Sequence, residues 1–180
     1  MKIAVIGFSG GGKSTLARRL GELYGVEVLH LDTVHHLSGW KSRPREESRV
    51  MVEAFLNTHD ASGWVIDGNY GKLAYDRRME EADRIVMLLL NRLDCLQRVC
   101  RRYRKYRGSS RPDMTEGCQE KLDAAFIRWI LYEGRRGEQR ALLQKVMHRY
   151  KNKLVCLRSQ RDIDRYWKQC TAAEALPAKE

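Results

Sequence analysis

At 180 residues, with 43% hydrophobic and 32% charged side chains and only 14 Gly and 3 Pro, the chain has the length and balance of one globular domain, which excludes a disordered or fibrous protein. Its longest apolar run, residues 85–90, falls far short of a bilayer span, so no membrane partner is expected. A net charge of +11 calls for a polyanionic partner, either a nucleic acid or a small phosphorylated molecule.

In chain order, residues 3–6 form a short β-branched run that predicts a buried strand ending at Gly7. Leu16, Leu20 and Leu23 follow at helical spacing, with Gly25 as the helix stop. Residues 26–31 read as a second strand ending at Asp32, followed by an irregular stretch to Pro44 that contains Trp40. Met51, Val52, Phe55 and Leu56 predict a helix over 46–59, and Trp64-Val65-Ile66 a third strand running into Asp67-Gly68-Asn69-Tyr70. Residues 85–90 make a fourth strand and 154–157 a fifth. Between them lies a helical block whose apolar faces carry Leu93, Leu96, Cys100 and Tyr103, then Leu122, Phe126 and Trp129, then Leu142, Val146 and Tyr150. A closing helix is expected from Asp162 to Trp167. Residues 171–180 lack periodicity and read as a frayed, flexible tail. Five cysteines without a CxxC pair point to reduced thiols and a cytoplasmic protein.

Short apolar strands alternating with helices predict an α/β fold, a parallel sheet covered on both faces, in one domain over 1–170. Ligands of such sheets bind beyond the carboxyl ends of the strands. After the first strand the chain reads Gly7-Phe8-Ser9-Gly10-Gly11-Gly12-Lys13-Ser14-Thr15, a G-x-x-x-x-G-K-[ST] phosphate loop between strand and helix. Glycines there let successive N–H groups turn inward onto a phosphate, and the positive end of the following helix adds to that field. Lys13 places a charge on the outer phosphates of ATP, and the Ser14 hydroxyl can take a Mg2+ position.

The other strand ends carry usable chemistry. Asp32 is placed to orient an acceptor hydroxyl or take its proton. Asp67 is placed to hold Mg2+ through water, as a phosphate-loop partner does. Gly68, Asn69 and Tyr70 are expected to face the acceptor, and Arg43 and Arg78 to clamp an anionic one. His30, His35 and His36 lack fixed ligand spacing and read as pocket or surface histidines rather than a metal site. GTPase motifs are mimicked without the right context: Asp60-Ala61-Ser62-Gly63 precedes a strand instead of following one. Asn91-Arg92-Leu93-Asp94 reads as a helix cap.

The segment 97–111 holds Arg98, Arg101, Arg102, Arg104, Lys105, Arg107 and Arg111 without an acid. Three readings are open: a helical lid over roughly 98–118 that closes arginines, Arg98 and Arg102 first, onto transferring phosphates; a solvated face; or a DNA-binding patch with Tyr103 and Tyr106 interleaved. The chain is expected to be a monomer or homodimer.

The loop spacing, Gly7, Gly10, Gly12, Lys13 and Ser14, resembles the adenylate kinase and shikimate kinase branch of P-loop proteins. Trp64-Val65-Ile66-Asp67-Gly68-Asn69-Tyr70 is similar, more specifically, to the bacterial DNA topology modulation (FlaR-like) family. So are Leu31-Asp32, Gly39-Trp40, Arg78 before Ala82-Asp83, Arg111-Pro112-Asp113-Met114, Gly117-Cys118-x-Glu120-Lys121 and Phe126-x-x-Trp129-Ile130, so the likeness spans nearly the whole chain. The resemblance implies a P-loop NTPase with a five-stranded parallel sheet in the order 2-3-1-4-5, a helical acceptor region and a lid. It also implies ATP and Mg2+ as reaction partners and a small-molecule acceptor. DNA topology modulation is the alternative role.

Overall fold

The computed structural model describes residues 1–175; the expected tail at 176–180 lies outside them. The chain runs β1 (Lys2–Gly7), α1 (Lys13–Tyr24), β2 (Glu27–His30), α2 (Leu31–His35), β3 (His36–Leu37), β4 (Lys41–Ser42), α3 (Arg45–Thr58), β5 (Trp64–Asp67) and α4 (Tyr75–Glu81). It continues with β6 (Arg84–Leu88), α5 (Arg92–Tyr106), α6 (Ala124–Leu131), α7 (Gly137–Arg149), β7 (Leu154–Leu157) and α8 (Gln160–Glu174).

Five strands form one sheet in the order β2-β5-β1-β6-β7, every pair parallel. Counted along the chain without the small β3–β4 hairpin, that is 2-3-1-4-5. The three inner strands carry almost unbroken apolar sequence because both faces are covered. Ala4, Ile6, Trp64, Ile66, Ile85 and Met87 face one core with Val52, Leu56 and Val146. Ile3, Val5, Val65, Val86 and Leu88 face the other with Leu16, Leu20, Val99 and Ile163. All five inner-strand residues named for this second face have no exposed area, so the strand ends are held by packing on both sides.

Differences from the sequence expectations cluster at the carboxyl end of β2. The strand stops at His30; Leu31 and Asp32 open the short helix α2, and the stretch expected to be irregular folds as a hairpin. Leu31 is fully buried there, a core contact that periodicity does not reveal. The basic helix α5 stops at Tyr106, and 107–123 continues without helix or strand. The tail expected from residue 171 is corrected in part: α8 persists to Glu174, with the Thr171 hydroxyl donating to the carbonyls of Trp167 and Lys168, both 3.1 Å, and Cys170 buried. Its start is fixed by a capping box between Ser159 and Asp162. Among the described residues no helix is long and apolar enough to cross a membrane.

Candidate functional site

β1 ends against β6, and the turn that follows is built on glycine. A Cβ on Gly7 would stand 2.1 Å from the Leu88 carbonyl oxygen, and φ is +129°. Any other residue would push the loop off the sheet. The Gly11 N–H donates to the Phe8 carbonyl (3.1 Å), and Gly12, left-handed at φ 96°, leads into α1. No side chain caps α1, so the first-turn N–H groups of this 12-residue helix are left for an anion.

Lys13 stands at the first position of α1 with Nζ 3.3 Å from the Phe8 carbonyl. Burial lowers its pKa, while Asp67 and Asp32 pull the other way. A buried ammonium at the open helix start, with the Asp67 and Asp32 carboxylates nearby, is suited to a polyphosphate. Ser14 follows on the same turn, and Thr15 is exposed beside it. Ser9 accepts a hydrogen bond from Trp129 Nε1 of α6 at 3.2 Å, which ties the loop to the helical block.

His30 and Asp67 are partners in the β2–β5 register, so their side chains emerge together from the sheet. His30 Nδ1 and Asp67 Oδ1 lie 2.7 Å apart. Burial lowers the His30 pKa, but the Asp67 carboxylate outweighs it and the net direction is upward. Asp67 is left with Oδ2 free of protein hydrogen bonds, and so is the Ser14 hydroxyl, among the described residues. Two oxygen donors of this type fit Mg2+.

Asp32, in the first turn of α2, accepts from the Tyr70 hydroxyl at 2.7 Å and pairs with Arg111 at 3.3 Å. Burial pushes its carboxyl up, but the Tyr70 hydroxyl, Arg111 and Lys13 more than offset this and hold it below the ordinary range. Burial and Asp32 push the Tyr70 phenol well up. Asp32 and Tyr70, each expected to face an acceptor, are hydrogen-bonded to one another.

Four other expectations are corrected. Asn69 does not face an acceptor: its Oδ1 accepts from the Gly7 N–H (2.9 Å) and its Nδ2 donates to the Gly7 carbonyl (2.8 Å), extending the ladder where β5 has ended. Gly68 is packed on Leu31, whose Cβ would lie 2.9 Å from a Cβ added there, so it seats α2. Arg78 is fully buried and donates to the carbonyls of Leu73 (2.9 Å), Gly68 (3.2 Å) and Tyr70 (2.9 Å). Burial lowers its pKa to about 10. It shapes the loop after β5 and cannot reach a ligand. Arg43 gives its Nε to the Val34 carbonyl (2.8 Å), locking the hairpin onto α2.

The basic segment divides. Arg98 donates to the Gly11 carbonyl (2.8 Å) and to Gln160 of α8, lying over Gly12, where a Cβ would come within 2.7 Å of the guanidinium. Arg102 binds Glu120 (3.0 Å), and burial together with Arg111 lowers its pKa. Glu120, buried, also meets Arg111 at 3.1 Å, and Arg111 reaches on to Asp32. A charged chain therefore runs from α5 to the strand-two carboxylate. Arg111 and Glu120 were not among the expected site residues. Within a run of like charges nothing distinguishes the arginine that reaches the Asp32 carboxylate from its neighbours, and their only signal was their place in the family motifs. Arg101, Arg104, Lys105 and Arg107 remain exposed.

The segment after Arg111 is docked on the hairpin: Thr115 Oγ1 donates to the His36 carbonyl (2.6 Å), Cys118 Sγ to that of Leu37 (3.2 Å), and Trp40 Nε1 to that of Gln119 (2.8 Å). Trp40 has a left-handed backbone at φ 64°, strain localised where the two pieces meet.

This fold, with a glycine loop at the end of the central strand, is that of P-loop kinases. Solved structures similar to the chain include a gluconokinase from Sinorhizobium meliloti 1021, at 17% identity and a TM-score of 0.50, over 97% of this chain and 91% of that one. A shikimate kinase from Acinetobacter baumannii in complex with shikimate matches at 20% identity and 0.52, over 97% and 94%. A deoxyadenosine kinase from M. mycoides matches at 12% identity and 0.50, over 96% and 100%. No protein-family model matches the chain, and no curated protein does at a significant level. At these identities the likeness defines the fold alone.

Proposed function

We propose that the chain is a P-loop kinase that transfers the γ-phosphoryl group of ATP to a hydroxyl or phosphate oxygen of a small molecule. The observation that carries this is the placement of Lys13 at the uncapped start of α1 just beyond β1, with Asp67 at the end of the paired strand β5 and Asp32 in the first turn of α2, both near enough to oppose the effect of burial on its ammonium. The Gly10 and Gly12 amides, the uncapped first-turn amides of α1 and the Lys13 ammonium bind the phosphates, with Ser14 and Asp67 as the residues that would hold Mg2+. The amides of Gly7, Phe8 and Gly11 are taken up within the loop and in holding it to the sheet. Held at Ser14 and Asp67, the ion would supply positive charge to offset the negative charge that builds up on the phosphates during transfer. Asp32, kept ionised by Tyr70 and Arg111, orients the acceptor hydroxyl and accepts its proton. The acceptor oxygen forms the new bond to the γ-phosphorus as the bond to the β-phosphate oxygen breaks, and ADP leaves. Arg98, over the loop, and Arg111, on Asp32, stabilise the charge that develops; Arg102 holds Arg111 through Glu120. Residues 98–118 act as the lid, and the cytoplasm is where Mg-ATP is at hand.

ADP release from Mg-ATP against a panel of nucleosides, nucleotides, sugars and hydroxy acids tests this. One acceptor class stimulates turnover, and Lys13→Ala removes it; full activity in that variant refutes the proposal. A second reading, an ATP-binding regulator of DNA topology within the FlaR-like family, is favoured by the exposed Arg101, Arg104, Lys105 and Arg107 on α5. It requires DNA binding whose affinity falls steeply with salt, and turnover raised by DNA instead of by an acceptor.

A further inference from the structure

Next to the Asp32 cleft lies a cavity of about 580 Å3 that the phosphate site does not use. Its walls come from the end of α2, the start of α3, the loop after β5, and the first turns of α7. The volume is that of a small-molecule pocket. Tyr70 is the wall it shares with the catalytic cleft. Tyr70 lines the cavity, its ring packs against the His35 ring with centroids 4.9 Å apart and the planes tilted at 46°, and its hydroxyl donates to Asp32 at 2.7 Å. Leu73, Ala141 and Leu142 complete an apolar floor, with the Leu142 methyl carbons lying over Gly71, where an added Cβ would meet both in van der Waals contact at 3.6 Å.

The charged groups on the rim are unbalanced. Arg45, Lys72 and Lys145 are cationic against the one carboxylate of Glu138. Lys145 is engaged by Asp76 at 2.7 Å, but among the described residues neither Arg45 nor Lys72 forms an ion pair. An apolar, aromatic-walled floor with two uncommitted cations at its edge is suited to a flat or apolar body that carries an anionic group.

We infer that this cavity holds the body of the acceptor, and that the acceptor is a small hydroxylated compound with a planar or apolar framework and a carboxylate or phosphate group. This rests on the kinase reading above. The anion sits between Arg45 and Lys72, the framework lies along Tyr70 and His35, and the hydroxyl reaches past the Tyr70 ring to Asp32. Tyr70 then has two tasks, stacking on the framework and marking the position of the reacting oxygen. The specificity-determining residues are Arg45, Lys72 and Leu142, none of which touches the nucleotide loop.

The probe is 1-anilinonaphthalene-8-sulfonate, a planar apolar anion whose fluorescence rises on burial. One saturable site is expected in the native protein and in Lys13→Ala. Arg45→Glu and Lys72→Glu should each weaken it about tenfold, the loss of one charge-assisted contact, and Leu142→Trp should fill the site. Affinity for a non-hydrolysable ATP analogue reports whether each variant is folded. The panel compound that stimulates ADP release should displace the dye. Dye binding untouched by all three variants, or a stimulating compound that leaves the dye bound, overturns the assignment. If no compound stimulates ADP release, the kinase reading fails, and the dye and its variants still decide whether the cavity takes an anionic apolar body.

Discussion

Around the phosphate loop, single side chains substitute for backbone. Asn69 continues the β5–β1 ladder with its amide, holding both polar groups of Gly7 at the point where the loop leaves the sheet. Replacing Asn69 with Ala removes both bonds, with an expected cost of roughly 1–3 kcal/mol. Because they fix the first loop residue, the KM for ATP should rise more than kcat falls, read together from urea unfolding and steady-state kinetics. Arg78 is a different case. Its guanidinium satisfies three carbonyls and, among the described residues, has no carboxylate partner, so it acts as a buried template for residues 68–73. Arg78→Ala leaves those oxygens without donors and opens a cavity, an expected loss of roughly 3–5 kcal/mol in the urea midpoint analysis. The sequence offered Asn69 and Arg78 as ligands because polar residues at strand ends look alike whether they bind substrate or backbone. What separates them is the local count of unpaired N–H and C=O groups, which only the three-dimensional path of the chain defines.

At the scale of elements, the segment 107–123 matters most. It has no regular structure, yet it is held down by Glu120 between Arg102 and Arg111, and by its bonds to the β3–β4 hairpin. Removing the buried carboxylate in Glu120→Ala leaves two guanidinium groups facing each other. Limited proteolysis should then cut between α5 and α6 at least about tenfold faster, the effect of a local loss of more than ~1.4 kcal/mol. The same chain sets a pH dependence. Asp32 has its carboxyl held below the ordinary value of 3.8, against burial, by the Tyr70 hydroxyl, Arg111 and Lys13. Its ionised form therefore stabilises the fold fully above the unfolded value, and that contribution is lost as pH falls through the lower folded value. Arg111→Gln removes one of these influences, so the acid limb of the kcat/KM profile should move to higher pH. An unmoved limb would mean that Asp32 is not the base. Helices α1, α3 and α7 were legible from their apolar spacing, and the Asn91 cap of α5 was legible from its residue type, with Asn91 accepting from the Asp94 N–H at 2.9 Å. The hairpin and the docked segment were not, because two-residue strands carry no period and their stability comes from partners 79 to 81 positions away.

For the whole molecule, the order of strands decides which ends converge. With β1 between β5 and β6, and β2 outside β5, the glycine loop, Asp67 and Asp32 come from three adjacent elements, although 35 residues separate the two carboxylates in the chain. That convergence was readable in outline, since a phosphate loop and two aspartates after apolar runs define it without any side-chain geometry. The second cavity was not, because it needs α7, contributed from the far side of the helical block, to close on the loop after β5. A site assembled from so many elements is one that ligand binding should tie to global stability. Binding to the folded state alone adds RT ln(1 + [L]/Kd), about 2.7 kcal/mol at a hundred times Kd. For a domain of this length that corresponds to a rise in Tm of roughly 5–10 °C. Mg-ATP should produce such a shift in the native protein and most of it should vanish in Lys13→Ala, whose missing ammonium removes the principal charge on the phosphates. Filling the second cavity with Leu142→Trp should leave the shift unchanged, because nucleotide and acceptor meet only at the transferred phosphoryl group. A Tm that moves equally with Mg-ATP in the Lys13 variant would place the nucleotide elsewhere on the molecule.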